Sequence, residues 1–417
     1  MITKNKPLFR FLFLFFGLYM FPFPLNRIPF VTYVAQWYEK GMEKLAIFVG
    51  NNIFMMETTA PPMSGSGDKH IDYVFILMYF CIAVLGTLLW SLLERKPRDY
   101  KKINYWFWVW LRYFLAAMLI SYGLVKVFPL QMPQPGLTRM ITEYGSFSPM
   151  GTAWSFVGQS PGYSIFSGMA ELLAGVLLFH RRTVLLGGLM AMAVLSNVVA
   201  LNFFYDIPVK LFSSLLLLMA VLVAAPQAGK LFTLMFGNKS VAPYRIYDPL
   251  ATAKYRKAKE IGKWVVIVLF VGTSIYDNYA SLYSRGPLAP KPPLYGLYEI
   301  EHFKLNGEER PPLLDDTERW RYVVFEFPES MQVFSMNKER KWMSAKVDTL
   351  EQKVRFHNYN DTLNVHEFNY EKTDSTLIMQ GEFDGDTIYF NAKRLTKKDF
   401  PLYQRPFNWV QEYPYNR

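Results

Sequence analysis

The chain has 417 residues, 51% hydrophobic and 17% aromatic, and its single cysteine, Cys81, excludes an intrachain disulfide, a CxxC dithiol and a four-cysteine zinc site. Its net charge of +11 is unevenly placed: residues 285–417 hold 19 Lys/Arg against 21 Asp/Glu, whereas residues 1–284 hold 26 against 13. A basic apolar part joined to a near-neutral polar part points to orientation in a bilayer and attraction to anionic lipid, and argues against nucleic acid as a partner.

Seven apolar stretches predict membrane spans near 20 residues each, at 8–23, 73–93, 104–129, 163–179, 183–204, 209–225 and 263–282. The first follows MITKNKPLFR, like the basic head of a signal peptide, but FPFPLNR replaces a small-residue cleavage site, so it reads as a retained anchor. With the N-terminus inside, segments 1–10, 95–102, 180–182 and 228–263 carry 18 Lys/Arg, and the outer segments 24–72, 130–160 and 205–210 carry 6. That bias predicts an N-in, C-out topology in the inner membrane of a bacterium, with the polar C-terminal part in the periplasm.

In the first outer loop, TYVAQWYEKGMEKLAIFVGNNIF has apolar spacing that suits a helix lying on the membrane surface or, equally, a loop helix packed on the bundle. METTAPPMSGSGDKH after it reads as a mobile loop. Residues 285–296, within SRGPLAPKPPLYG, read as an extended, stiff spacer between domains.

Beyond the spacer, over 297–417, the periodicity changes to two, as in RWRYVVFEF and KVRFHNY. VDTL, NDTL, TDSTL and GDTI place Asp348, Asp361, Asp374 and Asp386 at intervals of 13, 13 and 12 residues. Asp beside Gly or Thr makes local turns, so the spacing predicts an antiparallel β-meander, a small barrel or sandwich. Such a barrel either holds a small apolar ligand or is filled and serves for docking. No DxDxDG calcium loop is present, and His357 and His366 have no evident third ligand, so no metal site is expected.

Glu171, within SGMAELLAGVLLFHRR, is the residue hardest to reconcile with lipid, because an acid at a span centre costs roughly 2.5–3.5 kcal/mol. At 1.5 Å per residue it lies roughly 12 Å below the outer end of its span, with Asn197 and Tyr122 each roughly 10 Å deep. Lys126 follows Tyr122 by one turn, and Asp206 and Lys210 bracket the tight outer turn FYDIPVK. Tyr122, Lys126, Glu171, Asn197, Asp206 and Lys210 are thus expected to converge on the outer half of one bundle, with Arg112 apart near the inner face. Two readings fit. One is a buried network in which Glu171 pairs with Lys126 and fixes helix register. The other is a ligand pocket with Glu171 and Lys126 as anchor, Tyr122 and Asn197 orienting the ligand, and Asp206 and Lys210 as its mouth.

The third to sixth spans, 105–226, resemble the DoxX family in Arg112 early in the first helix, Gly123-x-x-Lys126 near its end, and Glu171-Leu-x-x-Gly175 in the second. The resemblance implies a four-helix membrane module and a link to quinone-dependent oxidation. It leaves outside it two N-terminal helices with their loop (1–104), a cytoplasmic basic loop with the seventh span (227–284), the spacer and the β-rich domain. No cysteine pair, CxxCH or Rossmann glycine fingerprint is present, so a quinone or a protein partner would have to carry electrons. The expected function is a quinone- or lipid-binding subunit or scaffold that docks a periplasmic or membrane protein through the β domain. The alternatives are an oxidoreductase subunit passing electrons to quinone, and a small-molecule transporter.

Overall fold

The apolar first part is helical and the alternating last part is strand, in a computed structural model that describes residues 5–27, 31–59, 67–94, 98–237, 239–241, 249, 253–405 and 407–414. The loop expected at METTAPPMSGSGDKH falls partly, at 60–66, outside the described residues. Two compact units are present: Met1–Pro133 with Ser148–Leu282, and Gln134–Phe147 with Tyr283–Arg417.

The first unit contains helices α1 (Lys6–Met20), α2 (Thr32–Asn52), α3 (His70–Leu93), α4 (Lys101–Val127), α6 (Pro149–Gln159), α7 (Pro161–Phe179), α8 (Val184–Phe204), α9 (Lys210–Phe236) and α10 (Ala253–Ser284). Helix α5 (Leu137–Ile141) belongs to the second unit. Among the described residues, six helices are long and apolar enough to cross a membrane: α3, α4, α7, α8, α9 and α10.

The first of the seven expected spans is not among the six. Helix α1 has 15 residues, about 22 Å at 1.5 Å per residue against about 30 Å of hydrocarbon. It stops before FPFP because proline has no N–H to continue the helical ladder. Its first turns are nevertheless pinned beside the C-terminal end of α3. Lys6 Nζ lies 3.0 Å from Glu94 Oε1, Arg10 pairs with Glu94, and Arg10 Nε donates to the Tyr100 hydroxyl at 3.0 Å.

Helices α4, α7, α8 and α9 pack in sequence and α9 returns to α4, which makes a four-helix ring. Its core is formed by residues such as Leu115, Leu119, Ala174, Leu178, Ala191, Leu195 and Met219. The α1–α3 pair leans on this ring through α4, and α10 touches it through Ile267, Phe270 and Val271. Helix α2 packs on the first turns of α3: Ala46 is buried with Ile71, Val74 and Met78.

The second unit is an antiparallel barrel. Its strands are β1 (Gly296–Leu305), β2 (Glu308–Glu309), β3 (Trp320–Phe325), β4 (Ser330–Ser335), β5 (Arg340–Asp348), β6 (Lys353–Asn358), β7 (Asp361–Lys372), β8 (Thr376–Phe383) and β9 (Asp386–Leu395), followed by the short helix α11 (Pro401–Gln404). Each main strand pairs with the next and β9 closes on β1, so eight strands form the wall while β2 only extends β1. Closure removes the free sheet edges. Inward positions are filled by large side chains: Trp320 stacks on Phe368 with ring centroids 6.0 Å apart and meets Phe383 at 5.5 Å. The interior is a packed core, so of the two expected barrels this is the filled one.

The turn reading holds in part. Asp348 Oδ1 accepts the N–H groups of Leu350 and Glu351, and Asp361 Oδ1 those of Leu363 and Asn364. Between β7 and β8, however, Thr373 Oγ1 accepts from Ser375 and Thr376 in place of Asp374. Between β8 and β9 the chain reverses through Asp384 and Gly385, at φ 54° and 94°, and Asp386 instead accepts from Asn306. The spacer is also tied down at its end. Leu294 is in the barrel core, its carbonyl accepts the Tyr298 hydroxyl, and Lys372 Nζ donates to Pro293 O at 2.8 Å.

One boundary departs from the sequence reading. Residues 134–147, between α4 and α6, are built into the barrel unit. Leu137 N–H and Thr138 Oγ1 donate to the Glu326 carboxylate at 2.8 Å each, Leu137 packs with Leu297 and Val324, and Lys338 pairs with Glu143 at 2.7 Å.

Candidate functional site

Helices α4 and α7 cross with their backbones touching. A Cβ on Gly123 would stand 2.7 Å from the Gly168 carbonyl oxygen, and one on Gly168 would stand 2.6 Å from that of Gly123. One heptad on, Gly175 meets the Ala116 carbonyl. Small residues seven apart on both helices form this seam, the arrangement that lets helices approach closely where lipid is as apolar as the side chains. Lys126 lies three residues after Gly123, and Glu171 three after Gly168, so both side chains leave the same seam. They form a buried ion pair, with 7% and 3% of their side-chain surfaces exposed. Ser164 Oγ donates to the Lys126 carbonyl at 3.1 Å. Glu171 Oε2 is buried and has no hydrogen-bond partner among the described residues.

Tyr122, one turn before Lys126, lines a cavity of about 360 Å³ with Tyr19, Gly67, Asp68, Asp72, Phe75, Ile76, Tyr79, Val209, Leu211 and Phe212. It lies where α3 and α9 begin. The cavity is amphipathic: three phenols and two carboxylates face aromatic and branched walls. Both carboxylates already serve backbone donors. Asp68 accepts the N–H groups of Lys210 (2.7 Å) and Leu211 (3.0 Å), which caps α9, and Asp72 accepts that of Lys69 (3.0 Å), which caps α3. The hydroxyls of Tyr19, Tyr79 and Tyr122 have no hydrogen-bond partner among the described residues. Those hydroxyls are therefore the free donors of the cavity, suited to a neutral acceptor such as a carbonyl oxygen.

The structure divides the other expected site residues. Lys126 and Glu171 pair beside Tyr122 on the α4–α7 seam and do not line the cavity. Asp206 and Lys210 pair with each other at 2.7 Å, with 79% of the Asp206 side chain exposed, so they form a surface bridge in place of a mouth. Asn197 is exposed on α8 and does not converge. Asn202, five residues on and about 140° round the helix, is the buried one: its Nδ2 donates to Ser213 Oγ at 2.9 Å and to Val209 O at 3.4 Å, which fixes the α8–α9 turn. Arg112 is apart from the cluster as expected, 9% exposed, over the Tyr113 ring at 5.1 Å. Sequence reasoning missed Tyr19, Tyr79, Asp68 and Asp72. For the aspartates the available signal was DKHID directly before the apolar run, an N-terminal capping pattern.

Six apolar helices, a four-helix ring and a filled barrel define a multi-pass helical membrane protein with an appended β domain. The chain is 36% identical over 112 residues to the uncharacterized protein YwoB of Bacillus subtilis (strain 168), a match covering 27% of this chain and 71% of that protein. It belongs to the same family as that protein. No family model matches the chain, and no solved structure matches it.

Proposed function

We propose that this is a DoxX-type protein of a bacterial cytoplasmic membrane that binds an amphipathic molecule with hydrogen-bond acceptors, a quinone ring or a lipid head group, in the tyrosine-lined cavity. The observation that carries this reading is the set of three unpartnered phenols around about 360 Å³ at one end of the bundle. Pockets for small ligands start near about 300 Å³, so the cavity matches one substituted ring in size. With the carboxylates already bound to helix N-termini, the phenol O–H groups are what remains to orient a carbonyl.

The topology proposed with it is N-in and C-out, with the barrel in the periplasm. It counts the short helix α1, which runs beside α3 from Glu94 to Tyr79, as a seventh crossing added to the six candidate spans. Two features support it: the 18-to-6 distribution of Lys/Arg, and the integration of residues 134–147 into the barrel unit. That loop and the barrel are separated in sequence by four candidate spans, α7 to α10, an even number that leaves both on one side. Because the barrel interior is filled, the barrel would act through its outer surface, docking a protein partner. An oxidoreductase subunit passing electrons to quinone is the form this takes if that partner holds the redox centre.

The test is mass spectrometry of lipids and proteins retained by the full chain purified in mild detergent. A co-purifying quinone or lipid that is lost in Tyr79→Phe/Tyr122→Phe, with the fold intact, is the expected result. Equal retention by the variant, or no retained small molecule, removes the cavity as a binding site.

A further inference from the structure

Helix α2 carries two apolar faces, and only one packs against other described residues. Ala46 and Gly50, with Met42 and Val49, form the seam against α3. At 3.6 residues per turn, Val34, Trp37, Gly41, Leu45 and Phe48 share a second face. It is open: Trp37 is 82% exposed, Val34 70% and Phe48 58%. Glu43, Gln36 and Lys40 occupy a third, polar sector between the seam and that open face. The helix cannot be a span itself, because Glu39, Lys40, Glu43 and Lys44 sit in its middle, and such charges are costly in hydrocarbon.

We infer that α2 lies in the interfacial zone of the bilayer, on the side from which α3 enters, with its Trp37–Phe48 face among the upper acyl chains and its Lys40 face in water. Three features commit the face to phospholipid. The seam partners Ile71, Val74 and Met78 lie within the first nine residues of a candidate span, so α2 sits at a membrane boundary. Helix α3, on which α2 packs, itself exposes apolar side chains in its first half, Leu77 at 40% and Phe80 at 49%. Aromatic residues toward lipid with lysines on the polar side are the side-chain order of an in-plane helix. This inference is independent of the cavity and of its ligand.

The single native cysteine makes the test direct. In a Cys81→Ser background, full-length protein carrying a nitroxide at position 37, 48 or 40 is placed in phosphatidylcholine vesicles, and collisions with oxygen and with a water-soluble nickel chelate are compared. Positions 37 and 48 should favour oxygen, at a depth of about 5–10 Å, and position 40 the nickel chelate. Nickel access at 37 and 48 equal to that at 40, or shielding of 37 and 48 from both reagents by a second copy or another protein, overturns the inference. A second measurement uses the native side chain: brominated acyl chains should quench tryptophan emission less in Trp37→Phe than in the parent. An unchanged quenched fraction also overturns it.

Discussion

Lys126 and Glu171, 45 residues apart in sequence, meet as a buried ion pair because each stands three residues beyond a glycine of the same helix crossing. Removing one partner strands the other charge, at a cost of about 3–5 kcal/mol, whereas replacing both by apolar residues of similar volume is often neutral. Glu171→Gln and Lys126→Met alone should each lower the unfolding midpoint in detergent, and Glu171→Met/Lys126→Met should recover most of the loss. Retention of the cavity ligand separates the roles. If the double variant is stable and still retains it, the pair is a structural pin. If it is stable and empty, the pair also holds the neighbouring site open.

Arg319 is 1% exposed, and among the described residues its guanidinium donates to neutral acceptors: Arg310 O at 3.0 Å, Ile300 O at 3.2 Å, and Glu301 O and Trp320 O at 3.3 Å, with Met336 Sδ beside it. Ile300 and Glu301 border the bulge where β1 shifts register against β9. A single arginine thus satisfies carbonyls that the bulge takes out of the ladder. Arg319→Met fills the same space without donors and should cost about 3 kcal/mol. Protease susceptibility of the barrel in the full chain should rise accordingly; resistance equal to the parent would mean water reaches those carbonyls.

Glu326 performs a similar service for residues 134–147, accepting from the backbone of Leu137 and Thr138 and from the Thr138 hydroxyl. Gln332 Oε1 accepts from the same hydroxyl at 3.0 Å. Glu326→Ala should raise hydrogen exchange at the Leu137 and Thr138 amides by about tenfold or more, the equivalent of about 1.4 kcal/mol of local stability. Amides of β6, which make no contact with this carboxylate, should be unchanged.

On the barrel wall, Glu367 lies 2.9 Å from Lys353 Nζ and 2.7 Å from Arg355 Nε, and these cations hold its carboxyl below the usual carboxylate range. A depressed acid contributes stability above its unfolded value of about 4.3 and loses it as pH falls through the lower folded value. The stability difference between the parent and Glu367→Gln should therefore be present at neutral pH and vanish in strong acid. The group is exposed, so the effect should be small and shrink with added salt.

How much of this was legible depends on whether one coordinate or two had to be read. The antiparallel meander followed from alternation and turn residues, because a period of two specifies both strand and facing, whereas the pairing of β9 with β1 that makes it a barrel and not a sandwich did not. In the bundle, depth could be counted along the chain, and it correctly brought Lys126 level with Glu171. Facing could not: Asn197 and Asn202 both lie in the upper part of α8, and only packing puts Asn202 inward. Tyr19 and Tyr79 are invisible as site residues because phenols are ordinary at membrane interfaces, and their convergence depends on α1 docking on α3. The grip of Glu326 on residues 134–147 joins positions nearly 190 apart, beyond any local pattern.

That grip also makes topology a prediction of the fold. Residues 134–147 and the barrel form one unit, so they share a side of the membrane whichever side that is. Four candidate spans between them agree with this, and an odd number would not. In a Cys81→Ser background, cysteines introduced at Glu143 and at Tyr359 should label together with a membrane-impermeant maleimide from outside intact cells. Cysteines at Arg98 and Lys257 should label only after the membrane is opened. Labelling of 143 without 359 would contradict the shared unit. Labelling of both only in opened cells would keep the unit and invert the orientation, which would move the tyrosine-lined cavity and the α2 face to the cytoplasmic leaflet.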